Sequence, residues 1–122
     1  MHLWHEVFDY TEQRHRPEKV LTDKLGQEDD LVFVAVCEGR VTGSAMAGYD
    51  GHRGWLYLVA VDRQWRRQGL GAQLVDYAVD ELRRRGCSKV NLQVRGGNRQ
   101  AVGFYEKLGF EVEDRVSLGK VL

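Results

Sequence analysis

A chain of 122 residues in which 18 Lys+Arg balance 18 Asp+Glu carries no formal net charge, so no global field draws it to nucleic acid or to an anionic membrane. The length suits a single domain, residues 1–122, at the small end of what buries a good core; no apolar run is long enough to span a bilayer and no signal-peptide pattern opens the chain. Cys37 and Cys87 are neither closely spaced nor in a metal-ligand pattern, and they read as reduced thiols of a cytoplasmic protein, Cys37 as a core strand residue.

Residues 1–30 are polar. Leu3, Trp4, Val7 and Phe8 give a weak helical pattern, and Arg16-Pro17-Glu18 sets proline near the start of a second helix carrying Val20, Leu21 and Leu25 to Gly26. His2, His5 and His15 have no cysteine or close carboxylate partner to complete a ligand set, so no metal is expected. Leu31–Cys37 reads as a strand, Glu38-Gly39-Arg40 as a hairpin turn and Val41–Tyr49 as its partner. The loop Asp50-Gly51-His52-Arg53-Gly54 contains good turn chemistry in Asp50-Gly51.

The chain is organised around the next stretch. Trp55–Val61 is an unbroken aromatic and β-branched run, which predicts a central strand buried on both faces. A basic turn, Arg66-Arg67-Gln68-Gly69-Leu70-Gly71, follows, and then Leu70, Leu74, Ala78 and Leu82 recur at helical spacing with Val75 and Val79 beside them. Arg83, Arg84 and Arg85 suit the negative end of the helix dipole, and Gly86 is a natural residue to end it. The start of this helix lacks an acidic or hydroxyl cap: Gly69, Leu70, Gly71, Ala72 and Gln73 fill the first turn, and the first carboxylate is Asp76. Helix N-termini carry orphan N–H groups and partial positive charge. Two arginines upstream add more, so the sequence points to an external phosphate held by those N–H groups with Arg66 and Arg67. The alternative is a glycine-containing connector with solvated arginines. A Walker loop is excluded because no Lys-Ser/Thr pair occurs here. A Rossmann fingerprint fits poorly, since Leu74 stands at the third glycine position and residues 62–68 separate strand from glycines.

Lys89–Arg95 alternates, with Val90, Leu92 and Val94 on one face of a predicted strand. Asn98 is a good N-cap for a last helix packing through Ala101, Phe104, Tyr105 and Leu108 and stopping at Gly109. Phe110–Val121 then reads as a final strand or strand pair.

Two stretches resemble a known family. Val59-Ala60-Val61-Asp62 followed by Arg66-Arg67-Gln68-Gly69-Leu70-Gly71 looks like motif A of the GNAT N-acetyltransferases, Q/R-x-x-G-x-G/A. The segment Asn98 to Phe110 is similar to their motif B, N-x-x-A-x-x-x-Y-x-x-x-G-F. Their order and spacing, with one helix and one strand between, strengthen the match, which runs from about Leu31 to the end. Gly48–Gly54 looks typical of short, single-domain bacterial members. The resemblance implies an α/β (α+β) GNAT fold, a mixed, mostly antiparallel central sheet flanked by helices. Against that pattern the expected first strand is missing, which would leave a sheet edge open to pairing and makes a homodimer a further expectation.

The same resemblance implies acetyl-CoA as co-substrate and direct attack by a primary amine of a small molecule or protein. The cofactor would be held by Val59, Ala60, Val61, Arg66, Arg67, Gln68, Gly69, Leu70, Gly71 and Ala72. The backbone at Val59 and Val61 would pair with the pantetheine arm, an N–H near Val61 would hold the oxyanion, and Asn98 would lie beside the arm. Tyr105 matches the family's general acid, and a phenol of pKa about 10 can protonate the departing thiolate. The attacking amine must be neutral, although a free lysine-type amine has a pKa of about 10.4. In ribosomal-protein N-terminal acetyltransferases, which share Leu-x-Val-Arg-x-x-Asn, a glutamate acts as base where this chain has Gln93, which cannot titrate. His52, with Asp50, is the candidate base, and a relay through water and backbone is the alternative. The competing function class is a catalytically idle acyl-CoA-binding or interaction module on the same fold.

Overall fold

Glu38 and Gly39, at φ 54° and 73°, reverse the chain in a two-residue loop with both φ positive, the arrangement that matches strand twist in a hairpin. They pair β1 (Val32–Cys37) antiparallel with β2 (Arg40–Tyr49). The structure, a computed structural model, describes residues 31–122. The two helices expected before residue 31, and the question of a first strand, lie outside the described residues. β2 pairs antiparallel with β3 (Gly54–Val61), and β4 (Val90–Asn91) joins β3 in parallel, giving the order β1-β2-β3-β4. The sheet is therefore mixed and mostly antiparallel, as expected. Helix α1 (Leu70–Arg84) connects β3 to β4.

The strand buried on both faces is β2, not β3. Thr42 to Ala47 are all buried, whereas Tyr57 in β3 is 43% exposed and Trp55, Leu58, Val59 and Val61 are half-buried. Small side chains explain the difference, because Gly43, Ser44, Ala45 and Ala47 let neighbouring elements approach β2 closely. A Cβ on Gly43 would sit 2.8 Å from Leu74 Cδ1 and 3.3 Å from the Ala60 carbonyl. At the far end of the helix, a Cβ on Gly54 would sit 2.8 Å from Cys87 Sγ and 3.1 Å from Leu82 Cδ1. α1 therefore runs antiparallel to β3, seated over Gly43 at its start and Gly54 at its finish. It buries Leu74, Val75, Ala78 and Leu82; the two leucines and the valine each contribute about 1.5–3 kcal/mol of apolar burial, and the alanine methyl less.

The helix stops where the sequence indicates. Gly86 adopts φ 92°, its N–H donates to the Arg83 carbonyl at 3.0 Å, and the Cys87 N–H donates to the Leu82 carbonyl at 3.1 Å, a Schellman closure. Cys87 is thus drawn back beneath the helix and buried. Cys37, expected in the core, is only half-buried.

The chain packs as two units, one ending at Leu92 and one from Gln93 to Leu122. Within the second, α2 (Arg99–Lys107) begins at Asn98, whose side-chain oxygen accepts from the Ala101 N–H at 3.1 Å. Two expectations are corrected here. Lys89–Arg95 forms a strand only at Val90 and Asn91, because its ladder to β3 holds only at Gly54 and Trp55. Residues 110–121 form no strand. Val112, Val116, Leu118 and Val121 are exposed, and a side-chain bond from Gln93 Nε2 to Ser117 Oγ at 2.6 Å joins the tail to residue 93. A strand needs a ladder partner, and alternation alone does not supply one.

The seat at Gly54 yields a test. Gly54→Ala should cost about 1–3 kcal/mol through overpacking. Cys87→Ala removes the sulfur that the new methyl group meets, so the double variant should lose less than the two single losses combined. Urea denaturation of the three variants measures this.

Candidate functional site

The site begins with an irregularity in β3. Ser44 pairs with Ala60 and Met46 with Tyr57, so Ala45 alone stands opposite Leu58 and Val59. This is a β-bulge carrying one extra residue on β3, and Leu58 holds it open at φ 48°. The extra residue inverts the facing of the strand. Before the bulge Gly54 is directed at α1; after it Val61, opposite Gly43, takes the helix-facing position. Neither ladder includes Leu58 or Val59, and β3 and β4 part after Trp55. Backbone groups from Leu58 to Val61 therefore line a split in the sheet that an extended ligand could pair with.

The connection from β3 to α1 is built, not loose. Asp62, 3% exposed, caps a 3-10 turn at Arg63–Trp65 by accepting from the Gln64 N–H at 3.0 Å. Its N–H donates to the Thr42 carbonyl at 2.7 Å, and Arg40 pairs with its carboxylate at 2.5 Å. Arg66 Nε donates to the Val61 carbonyl at 3.0 Å, closing the end of the split strand. Arg67 and Gly69 then take left-handed φ values of 64° and 80°, a backbone suited to turning successive N–H groups to one side. Gly69 is the N-cap of α1 with no side-chain cap bond, and no acidic residue lies in the first turn. The missing cap seen in the sequence is thus a structural fact. Arg66, Arg67, Gln68 and Gly69 are exposed, while Leu70, Gly71 and Ala72 are half-buried. Ala60 is buried, and Val59 and Val61 flank it on the bulged strand. The ten residues expected to hold a cofactor, Val59–Val61 and Arg66–Ala72, therefore lie along one strand-turn-helix, with the Asp62-capped turn between them.

His52 lies elsewhere. It sits exposed in the β2–β3 turn, its backbone N–H donating to Asp50 Oδ1 at 2.8 Å, as does that of Arg53. About 13 Å of strand separates Gly54 from Leu58 at 3.3 Å per residue. The structure does not bring His52 to the bulge.

In the second unit, the oxygen of Asn98 is committed to capping α2. Tyr105 occupies the third position from the end of that helix. There the Phe110 N–H donates to its carbonyl at 3.1 Å and the Gly109 N–H to the Glu106 carbonyl at 3.1 Å, a second Schellman closure. The Tyr105 ring meets Phe110 and Phe104 edge-on, with centroids 5.6 and 4.9 Å away. Burial pushes the phenol above its ordinary pKa, so it is fully protonated at neutral pH and able to donate. Among the described residues no group of three His, Cys, Asp or Glu could hold a metal, and no helix is long and apolar enough to cross a membrane.

Sequence reading missed two features of this site. The Leu58 bulge carries no signal, because leucine does not favour positive φ. Asp62 did carry one: an aspartate two residues before a backbone N–H is ordinary capping chemistry.

Comparisons with known proteins place the chain among its relatives. A sequence profile of the acetyltransferase (GNAT) family matches residues 1–110. An acetyltransferase of Yersinia pestis (strain Pestoides F) is 39% identical over 120 residues, covering 98% of this chain and 84% of its own. Among solved structures, the ribosomal-protein-S18-alanine N-acetyltransferase from Escherichia coli superposes with a TM-score of 0.77 at 31% identity, over 90% of this chain and 68% of that one. PaiA N-acetyltransferase from Thermoplasma acidophilum, in complex with coenzyme A, shares the fold with a TM-score of 0.77 at 18% identity, over 93% of this chain and 77% of its own.

The β2–β3 turn predicts a pH response. The Arg53 N–H first and the His52 N–H second hold the Asp50 carboxyl below its ordinary 3.8. A lowered folded value means the turn is fully stabilised above the ordinary range and loses that support as pH falls through the lowered value. The His52 and Arg53 amide resonances should therefore show a transition in strong acid, below about pH 4, that reports the loss of these bonds. An Asp50→Asn variant should show no such transition.

Proposed function

The chain belongs to the acetyltransferase (GNAT) family, and on that premise we propose that it transfers the acetyl group of acetyl-CoA to a primary amine of a small molecule or protein. The observation that carries this reading is the continuity of the bulged, split β3 with the uncapped start of α1. A backbone edge for an amide-bearing arm and a set of N–H donors for phosphates adjoin within residues 58–72. Relatives of this fold hold coenzyme A, the Thermoplasma protein among them.

In this reading Val59 and Val61 pair through their backbone with the pantetheine arm. Ala60 between them keeps the strand thin, and an N–H near Val61 stabilises the developing oxyanion. Arg67, Gln68, Gly69, Leu70, Gly71 and Ala72 offer backbone N–H groups to the pyrophosphate, and Arg66 and Arg67 add positive charge. Acetyl-CoA supplies the activated acyl group. Tyr105 donates a proton to the leaving thiolate, a role supported by its position in the motif B match and by a phenol that stays protonated. Asn98 orients α2 through its cap and has its amide nitrogen left for the arm. Gln93 cannot act as base, and His52 is held in a distant turn, so the acceptor's proton leaves through water. A cytoplasmic location fits this chemistry.

One observation favours the idle-module reading: Gln93, at the position of the family's basic glutamate, is a neutral side chain bonded to Ser117. Thiol release from acetyl-CoA with a panel of primary amines separates the two readings. Turnover with any amine supports transfer; binding without turnover across the panel supports the idle module.

Two variants sharpen the test. Gly71→Glu places bulk and an anion in the phosphate seat, so it should abolish stabilisation by CoA, a loss of about 2.7 kcal/mol if ligand is at a hundred times its Kd. Thermal melts with and without CoA measure it. Tyr105→Phe keeps the ring contacts and the helix end, so CoA affinity should be unchanged while kcat falls about a hundredfold or more. A Tyr105→Phe enzyme with wild-type kcat would mean the proton comes from water.

A further inference from the structure

We infer that Asp62, with Arg40 from outside the matched motifs, positions the phosphate-binding loop for acetyl-CoA, a role that rests on the cofactor reading above. A carboxylate with a side chain only 4% exposed needs partners for its charge and lone pairs. Asp62 spends them in two directions. Oδ1 takes the Gln64 N–H at 3.0 Å, within the turn that leads to Arg66 and Arg67. Oδ2 takes Arg40 Nη2 at 2.5 Å, from the first residue of β2. The backbone N–H of Asp62 holds the carbonyl of Thr42, itself the extra residue of a bulge between β1 and β2, and fully buried.

The loop from Arg63 to Gly69 thus leaves the sheet at one fixed point. Downstream of it two residues adopt left-handed backbone, and Gly69 contributes no side-chain cap. N–H groups that meet a phosphate lose much of their effect if displaced by about an ångström, and nothing within the loop beyond Arg66 fixes their direction. Asp62 fixes it from behind. Arg40 has a second effect, electrostatic in kind. An unmatched carboxylate at the base of an anion seat would repel the pyrophosphate, and the guanidinium cancels that charge. Arg40 is 47% exposed and lies beside the β1–β2 turn, so it can be changed without opening the core.

Isothermal titration with two probes decides the matter: acetyl-CoA, and S-acetylpantetheine, which keeps the arm and thioester but lacks the phosphates. Asp62→Ala and Arg40→Met should each weaken acetyl-CoA about tenfold or more, while leaving S-acetylpantetheine within about threefold of wild type. Arg40→Lys keeps the charge and should restore acetyl-CoA binding. If Asp62→Ala does not fold, Arg40→Met carries the test alone. Equal losses for both probes, or no loss for acetyl-CoA, would overturn the inference by making the pair a support of the fold at large. If the wild-type protein does not bind acetyl-CoA, or Gly71→Glu binds it unimpaired, the cofactor reading itself fails and the inference falls with it.

Discussion

The close seating of α1 on the sheet is the constraint from which the rest of the first unit follows. A helix lying at ordinary distance would leave room for a side chain at residues 43 and 54. Here both are glycine, and an added Cβ would meet Leu74 at one and Cys87 at the other, each at 2.8 Å. Because the helix is fixed at both ends, its first turn stands at a set height beside the last residues of β3. The unanswered N–H groups of that turn and the split edge of the strand therefore adjoin without any side chain needing to bridge them. Packing of small residues that carry no reactive group sets where a cofactor would lie.

Much of this was legible in the sequence. The apolar run ending at Asp62, the basic turn and the four-residue spacing of Leu70, Leu74, Ala78 and Leu82 indicated strand, turn and helix within a residue or two. The missing acidic cap was visible because absence of a common residue type is itself a pattern. Asn98 and Gly109 marked both ends of α2.

What was not legible has physical reasons. Residues 89–95 and 110–121 alternate well, yet a strand forms only where another strand accepts its hydrogen bonds, and that depends on distant residues. The burial of β2 over β3 depends on which elements cover each face, whereas hydrophobicity favoured Trp55–Val61. The Arg40–Asp62 pair links residues 22 apart in sequence, a separation that periodicity does not register. The bulge at Leu58 arises from unequal numbers of residues on paired strands, which no single residue announces.

That unequal count has a consequence for how the protein can vary. Since the bulge takes up the additional residue, Gly54 and Val61 both keep the helix-facing side although seven positions separate them, and the irregularity is written in the strand as chain length. Exchanging Leu58 for another apolar residue alters packing by a small increment. Removing it would leave the strands matched residue for residue, with Val61 still opposite Gly43 on the helix-facing side but the bulge gone. Lineages descended from such a chain would be free to drift in composition between Trp55 and Val61, but one that lost the extra residue would lose the bulge with it.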